Sequence, residues 1–224
     1  MDDMQWVDKY KPKNIHDIVG NKTQINKMIN WLKVFNDNTL IDRDFKNGLL
    51  ISGPPGIGKT STAHIILKDA GFDVIEFNAS ELRTSKSITE KLDSIISGKS
   101  IKMMFVKNIR TAIIMDELDG IESRKECSVS DISEYINYST NKNDIKIRQE
   151  CKKNKNKVSK KSKTTIVNKN PIICICNNVN KSVNPILNEV LHIKFSPPTD
   201  TDIFCILKKI RDGEKLSIND ALLN

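Results

Sequence analysis

Gly53-Pro54-Pro55-Gly56-Ile57-Gly58-Lys59-Thr60 decides the fold. It is a complete G-x-x-x-x-G-K-[ST] pattern, and its surroundings matter as much as its letters. Leu49-Leu50-Ile51 runs into it as a short buried strand. Lys59 to about Asp69 continues as a helix that ends near Gly71. Between strand and helix, glycines let successive backbone N–H groups turn toward phosphate oxygens. The helix N-terminus adds the positive end of its dipole. Lys59 is then expected at the β and γ phosphates, and the Thr60 hydroxyl on magnesium. Gly53, Pro54, Pro55, Gly56, Ile57, Gly58, Lys59, Thr60 and Ser61 are the expected phosphate-end contacts, with ATP and Mg2+ as the ligands.

Ile113-Ile114-Met115-Asp116-Glu117 supplies the second half. An apolar strand delivers two acids at its carboxyl end, where ligands bind in open α/β sheets. Asp116 is expected to hold the metal with Thr60, often through water. Glu117 is expected to polarise the attacking water. A third strand, Pro171 to Cys176, ends at Asn177. A neutral amide there can orient the water and sense the γ-phosphate; on residue chemistry alone a simple turn asparagine is the competing assignment. Lys59, Glu117 and Asn177 are the catalytic candidates.

Working outward, strands alternate with helices. Phe72 to Phe77, Ala112 to Met115 and a weaker Leu191 to Phe195 read as strands. Lys22 to Phe35, with apolar residues at Ile25, Met28, Ile29, Leu32 and Phe35, has helical spacing. Ser87 to Ile96, Val129 to Tyr138 and Asp200 to Arg211 read as further helices, the last after the Pro197-Pro198 break. Trp6 to Gly20 reads as an extended arm broken by Pro12. The alternation predicts an α/β fold, a mostly parallel sheet between helices.

A chain of 224 residues accommodates one domain with a full core and a small appendage. No apolar run approaches the roughly 20 residues that span a bilayer, so no membrane partner is expected. The acidic start Met1-Asp2-Asp3-Met4 leads into no apolar core, so no secretory signal is expected. Five cysteines, an odd number without metal-ligand spacing, point to an intracellular, reducing compartment. Cys174 and Cys176 read as small buried hydrophobes. The net charge of +8 resides in one segment: Asn141 to Asn170 holds eleven Lys or Arg against two acids. That segment, rich in Lys, Asn, Ser and Thr, lacks the apolar surface to offset chain entropy and is expected to be disordered.

Taken together, these motifs resemble the clamp-loader ATPases of the AAA+ class. Trp6-Val7-Asp8-Lys9-Tyr10-Lys11-Pro12, Asp17-Ile18-Val19-Gly20, Gly53 to Thr60, Phe77-Asn78-Ala79-Ser80 and Pro171 to Asn177 carry the resemblance. Asp116-Glu117-Leu118-Asp119-Gly120 is similar to the large subunit of replication factor C rather than to small subunits, which usually carry Asp-Glu-Ala-Asp.

The resemblance implies ATP-driven opening of a sliding clamp and its loading on primed DNA. The implied partners are small clamp-loader subunits, the clamp, and a junction of double-stranded and single-stranded DNA. The implied location is the site of DNA replication, in a nucleus or a viral replication compartment. It also implies that Val7, Tyr10, Pro12, Ile18 and Val19 line an adenine pocket. Arg83 and Lys86 resemble family positions near DNA. Ile101, Met104 and Phe105, at i, i+3, i+4 spacing, match a clamp-binding plug. Asn188-Glu189-Val190 falls where small subunits carry Ser-Arg-Cys, whose arginine reaches a neighbour's ATP, so this chain is expected to offer no arginine finger, and its own site to need one from a partner. Residues 1–196 are expected to form the nucleotide-binding domain, with the 141–170 insert within it. Residues 197–224 are expected to form a partial helical lid. Two alternatives stay open: an ATP-binding scaffold without turnover, and another DNA-associated ATPase of this class.

Overall fold

The computed structural model describes residues 5–36, 45–78, 110–121, 129–136 and 170–220. Five strands form one parallel sheet: β1 (Gly48–Ser52), β2 (Phe72–Asn78), β3 (Arg110–Asp116), β4 (Ile172–Cys176) and β5 (Val190–Lys194). Their spatial order is β2-β3-β4-β1-β5. β1 therefore lies inside the sheet, between β4 and β5, and its chain leaves to form the far edge as β2. That reversal of direction is where open α/β sheets place their ligands.

Side chains alternate across the sheet, and two cores result. Leu49, Ile51, Ala112, Ile114, Ile173 and Ile175 face helices α2 (Lys22–Asn36) and α3 (Lys59–Asp69), with Met28, Trp31 and Leu67 among the buried partners. Leu50, Ile113, Met115, Ile172, Cys174 and Cys176 face helix α4 (Val129–Ile136), which contributes Val129, Ile132 and Ile136. Apolar residues on both faces explain why β1 and β4 are unbroken apolar runs, as buried parallel strands are. Cys174 and Cys176 are buried within that second core, as expected of small hydrophobes.

The five expected strands and four of the expected helices are present among the described residues. The arm differs from the extended expectation. Trp6–Lys9 is one helical turn (α1), and Ile15–Asp17 is a 3-10 turn. The Asp17 carboxylate accepts the backbone N–H groups of Lys13 and Asn14 at 3.3 and 3.2 Å, which closes that turn locally. Helix α5 (Asp200–Glu214) starts with a capping box: Asp202 N–H donates to Thr199 Oγ1 at 3.2 Å, and Thr199 N–H donates to the Asp202 carboxylate at 3.0 Å.

The arm is fastened to α5 by polar contacts. Tyr10 Oη donates to Glu214 at 2.9 Å, Lys9 pairs with Glu214 at 2.7 Å, and Lys209 pairs with Asp17 at 2.9 Å. α5 itself buries no residue and leaves Ile203, Ile206 and Leu207 exposed. The expected helix Ser87 to Ile96, the basic insert up to residue 169, and Arg83, Lys86, Ile101, Met104 and Phe105 lie outside the described residues.

Candidate nucleotide site

The site is assembled at the carboxyl end of the sheet. β1 ends at Ser52, opposite Cys176 of β4 and Lys194 of β5. The chain then enters Gly53 at φ +153, where an added Cβ would stand 2.6 Å from the Phe195 carbonyl oxygen. Only glycine fits against that backbone. Gly58, left-handed at φ 84, caps α3 and turns the chain into the helix.

Lys59 opens α3 and is only 7% exposed. Its ammonium donates to the Gly53 carbonyl at 2.8 Å, the Pro54 carbonyl at 2.8 Å and Asn177 Oδ1 at 2.9 Å. All three donors of the group are thus engaged within the loop and the end of β4. Burial lowers the Lys59 pKa, and the nearby Asp116 carboxylate opposes that shift.

Thr60 Oγ1 donates to Asp116 Oδ2 at 2.6 Å, and Glu117 N–H donates to Asp116 Oδ1 at 2.7 Å. Glu117 is left-handed, at φ 55 and ψ 41, an uncommon conformation for a residue with a side chain. It breaks β3 and starts the 3-10 turn Leu118–Gly120, whose Leu118 is buried in the core. The turn directs Asp119 back toward β4, where its carboxylate accepts the backbone N–H groups of Asn177 and Asn178 at 3.1 and 3.2 Å.

Pro55, Gly56, Gly58, Lys59, Thr60, Ser61, Asp116, Glu117 and Asn177 line one cavity of about 390 Å³. Added Cβ atoms at Gly56 and Gly58 would meet nothing within 4 Å, so both glycines border open space. The donor set fits a magnesium–nucleotide pair. Thr60 and Asp116 offer hard oxygens to one point, and no cluster of three His, Cys, Asp or Glu exists among the described residues. One hydroxyl and one carboxylate, completed by phosphate and water, is how Mg2+ is held in nucleotide sites rather than in all-protein cages.

Of the expected residues, the structure brings Lys59, Thr60, Ser61, Asp116, Glu117 and Asn177 to that cavity. Gly53 and Pro54 act from behind it through their carbonyls. Ile57 is turned to the core cluster. The arm residues do not border this cavity. Val7 is 79% exposed, Tyr10 is engaged with α5, and Ile18 packs on the α2–α3 core. Asp119 was not among the expected site residues. Its sequence signal was a third carboxylate three residues after Asp116, but nothing in the sequence says that the turn carries it to Asn177.

The family model described as "ATPase family associated with various cellular activities (AAA)" matches residues 49–197. Chromosome transmission fidelity protein 18 of Saccharomyces cerevisiae is 33% identical over 247 residues, covering 99% of this chain and 32% of that protein. Replication factor C subunit 1 of Schizosaccharomyces pombe is 30% identical over 231 residues, 95% of this chain and 22% of that protein. Replication factor C large subunit of Methanococcus maripaludis is 36% identical over 122 residues, 54% of this chain and 23% of that protein. The chain thus spans about a third or less of the length of these relatives. Among solved structures, Thermotoga maritima RuvB, a Holliday junction branch migration motor, superposes with a TM-score of 0.61 at 14% identity over 96% of this chain and 58% of that one, a likeness of fold. The family match runs from β1 to the end of β5 and takes in every residue lining the cavity, which makes the chain a member of the AAA family of ATPases.

Proposed function

We propose that this chain binds MgATP at the cavity and is an ATPase subunit, of large-subunit type, of a clamp loader that places a sliding clamp on primed DNA. One observation carries the nucleotide part: a buried lysine and a hydroxyl from the start of α3, two acids from the end of β3 and an asparagine from the end of β4 line one cavity. In this assignment Lys59 leaves the Gly53 and Pro54 carbonyls for the β and γ phosphates. Thr60 and Asp116 hold Mg2+, which screens the phosphate charge when bound. Glu117 positions and polarises the attacking water, and Asn177 orients it while contacting the γ-phosphate. Gly53 through Ser61 supply the phosphate cradle. Val7, Tyr10, Pro12, Ile18 and Val19 are assigned to the adenine side, on the strength of the resemblance alone.

The clamp-loader part is supported by the names of the relatives, two of which are replication factor C subunits. Its implied partners are small subunits, the clamp and primed DNA at a site of replication. Arg83 and Lys86 are assigned to DNA, and Ile101, Met104 and Phe105 to the clamp. Residues 1–196 are taken as the nucleotide-binding domain and 197–224 as the start of a lid. Asn188-Glu189-Val190 carries no arginine, so this chain offers no finger to a neighbour's site; the finger for its own site is assigned to a neighbouring subunit.

The test is ATP turnover by the chain alone and by the complex it copurifies with, each with and without clamp and primed DNA. Lys59→Ala should lose nucleotide binding, because it removes the charge aimed at the phosphates. Turnover should rise by roughly 10³–10⁵-fold in the complex, the worth of an arginine supplied in trans. ATP binding without turnover in any assembly would favour a scaffold and overturn the enzymatic reading.

A further inference from the structure

Asn177 has to be held at a defined height above Lys59, yet it stands where the sheet has stopped. The last pairing of β4 with β1 is Cys176 with Ser52, and the last with β3 is Cys174 with Met115. The N–H groups of Asn177 and Asn178 therefore have no strand partner in the ladder. Both are taken instead by one oxygen, Asp119 Oδ2, at 3.1 and 3.2 Å. Two consecutive N–H groups closing on a carboxylate make a small anion nest, and ionised acceptors form the stronger backbone hydrogen bonds.

Asp119 is itself fixed. Leu118 anchors its turn in the core, Gly120 N–H donates to the Glu117 carbonyl at 2.9 Å, and the Asn180 amide reaches the Asp119 carbonyl at 3.5 Å. The same turn begins at Glu117, whose left-handed backbone reverses the chain. Asn177 in turn accepts from Lys59 at 2.9 Å through its side chain. A continuous path thus runs from the turn of Glu117, through the Asp119 carboxylate, to the backbone and then the side chain of Asn177.

We propose that Asp119 is the positioning residue of this site: its carboxylate fixes the Asn177 amide against the phosphate end and ties that amide to the turn that carries Glu117. This rests on the nucleotide assignment above. Asp119 does not line the cavity; it acts through Asn177. A γ-phosphate that draws on the Asn177 side chain then also loads the Glu117 turn, so the two respond together.

The experiment compares binding of ATPγS and ADP, both with Mg2+, to the full chain carrying Asp119→Ala, Asp119→Asn or no change, alongside thermal melting. Asp119→Ala is expected to lower the preference for ATPγS over ADP by about fivefold or more, the scale of a modest coupling between sites. Asp119→Asn keeps an oxygen that accepts both N–H groups, and is expected to hold the preference within about twofold of the unmodified chain. If Asp119→Ala does not fold, Asp119→Glu replaces it, since it moves the oxygens by one methylene and should narrow the preference as well. A folded Asp119→Ala, or Asp119→Glu in its place, with the unmodified preference overturns the assignment. So does an equal loss of both nucleotides, which marks a general collapse of the site. Failure of the unmodified chain to bind either nucleotide overturns the nucleotide reading itself.

Discussion

Thr60 Oγ1 and Asp116 Oδ2 stand 2.6 Å apart, a hydroxyl on the first turn of α3 hydrogen-bonded to a carboxylate at the end of β3. The two groups assigned to magnesium therefore hold one another in place before any metal arrives. Because the pair joins the helix that follows β1 to the end of β3, a strand two positions from β1 in the sheet, its geometry comes from the fold and not from either segment.

Removing metal separates the contributions of this pair. Chelation should weaken ATP binding to the unmodified chain by about tenfold or more, the usual scale for disturbing a metal site. Asp116→Ala should bind ATP weakly with metal and change little on chelation. Calorimetry with and without EDTA measures both, and an Asp116→Ala chain that keeps the full metal dependence would remove Asp116 from the metal site.

Glu117 combines a chemical role with a backbone cost. Glu117→Gln should retain binding and slow turnover in the assembled complex by roughly 10²–10⁴-fold, the scale of general-base loss. Glu117→Gly should be equally inactive but at least as stable as the unmodified chain, because the left-handed backbone costs a side-chain-bearing residue roughly 1–2 kcal/mol and glycine nothing of that kind. A melting temperature for Glu117→Gly well below that of Glu117→Gln would show that the side chain, not the backbone, stabilises the turn.

The clasp between arm and α5 should be acid-labile. Hydrogen bonds from Lys209, then from the N–H groups of Lys13 and Asn14, hold Asp17 below the usual carboxylate range. Hydrogen bonds from Lys9 and then Tyr10 do the same for Glu214. A carboxylate whose folded pKa is depressed stabilises the fold above its unfolded pKa, and that contribution is lost as pH falls through the folded value. Glu214→Gln should therefore melt below the unmodified chain at pH 7, and the gap should close below about pH 4. The groups are at the surface, so the gap should also shrink in high salt. A gap independent of pH would mean that Glu214 acts through packing alone.

Cysteine reactivity should divide sharply. Burial, and then the neighbouring Cys176, push Cys174 up to about 12. Burial, and then the Asp119 carboxylate, push Cys176 up to about 11, against the pull of Lys59. Cys205 on α5 is exposed. Alkylation of the folded chain at pH 8, mapped by mass spectrometry, should mark Cys205 and spare Cys174 and Cys176 until denaturant is added, since the thiolate is the reactive species. Marking of Cys176 in the folded chain would contradict its burial beneath the site.

Much of this was legible in the sequence because the signals were local. Gly53 to Thr60 prescribes a turn that only glycines can make, with a lysine and a hydroxyl at fixed offsets after it. The apolar runs before Gly53, Asp116 and Asn177 prescribe buried parallel strands, since both of their faces need covering. The cysteines at 174 and 176 read correctly as buried hydrophobes for the same reason. The arm read less well: its proline suggested extension, while Asp17 closed a turn through N–H groups three and four residues back, a contact that apolar periodicity does not register.

What only the tertiary structure decided is which strand lies beside which, and hence which side chains meet. The sequence by itself determined that Lys59, Asp116, Glu117 and Asn177 sit at strand or helix ends. The sheet order β2-β3-β4-β1-β5 put those ends side by side, so that Lys59 reaches Asn177, 118 residues away in the chain. It likewise placed Asp119 under Asn177 and Glu214 against Tyr10. Those contacts depend on parallel strands lying in register and on one left-handed residue, Glu117, turning the chain back. Neither is encoded in any short stretch, because register is set by the burial of both faces of the sheet at once.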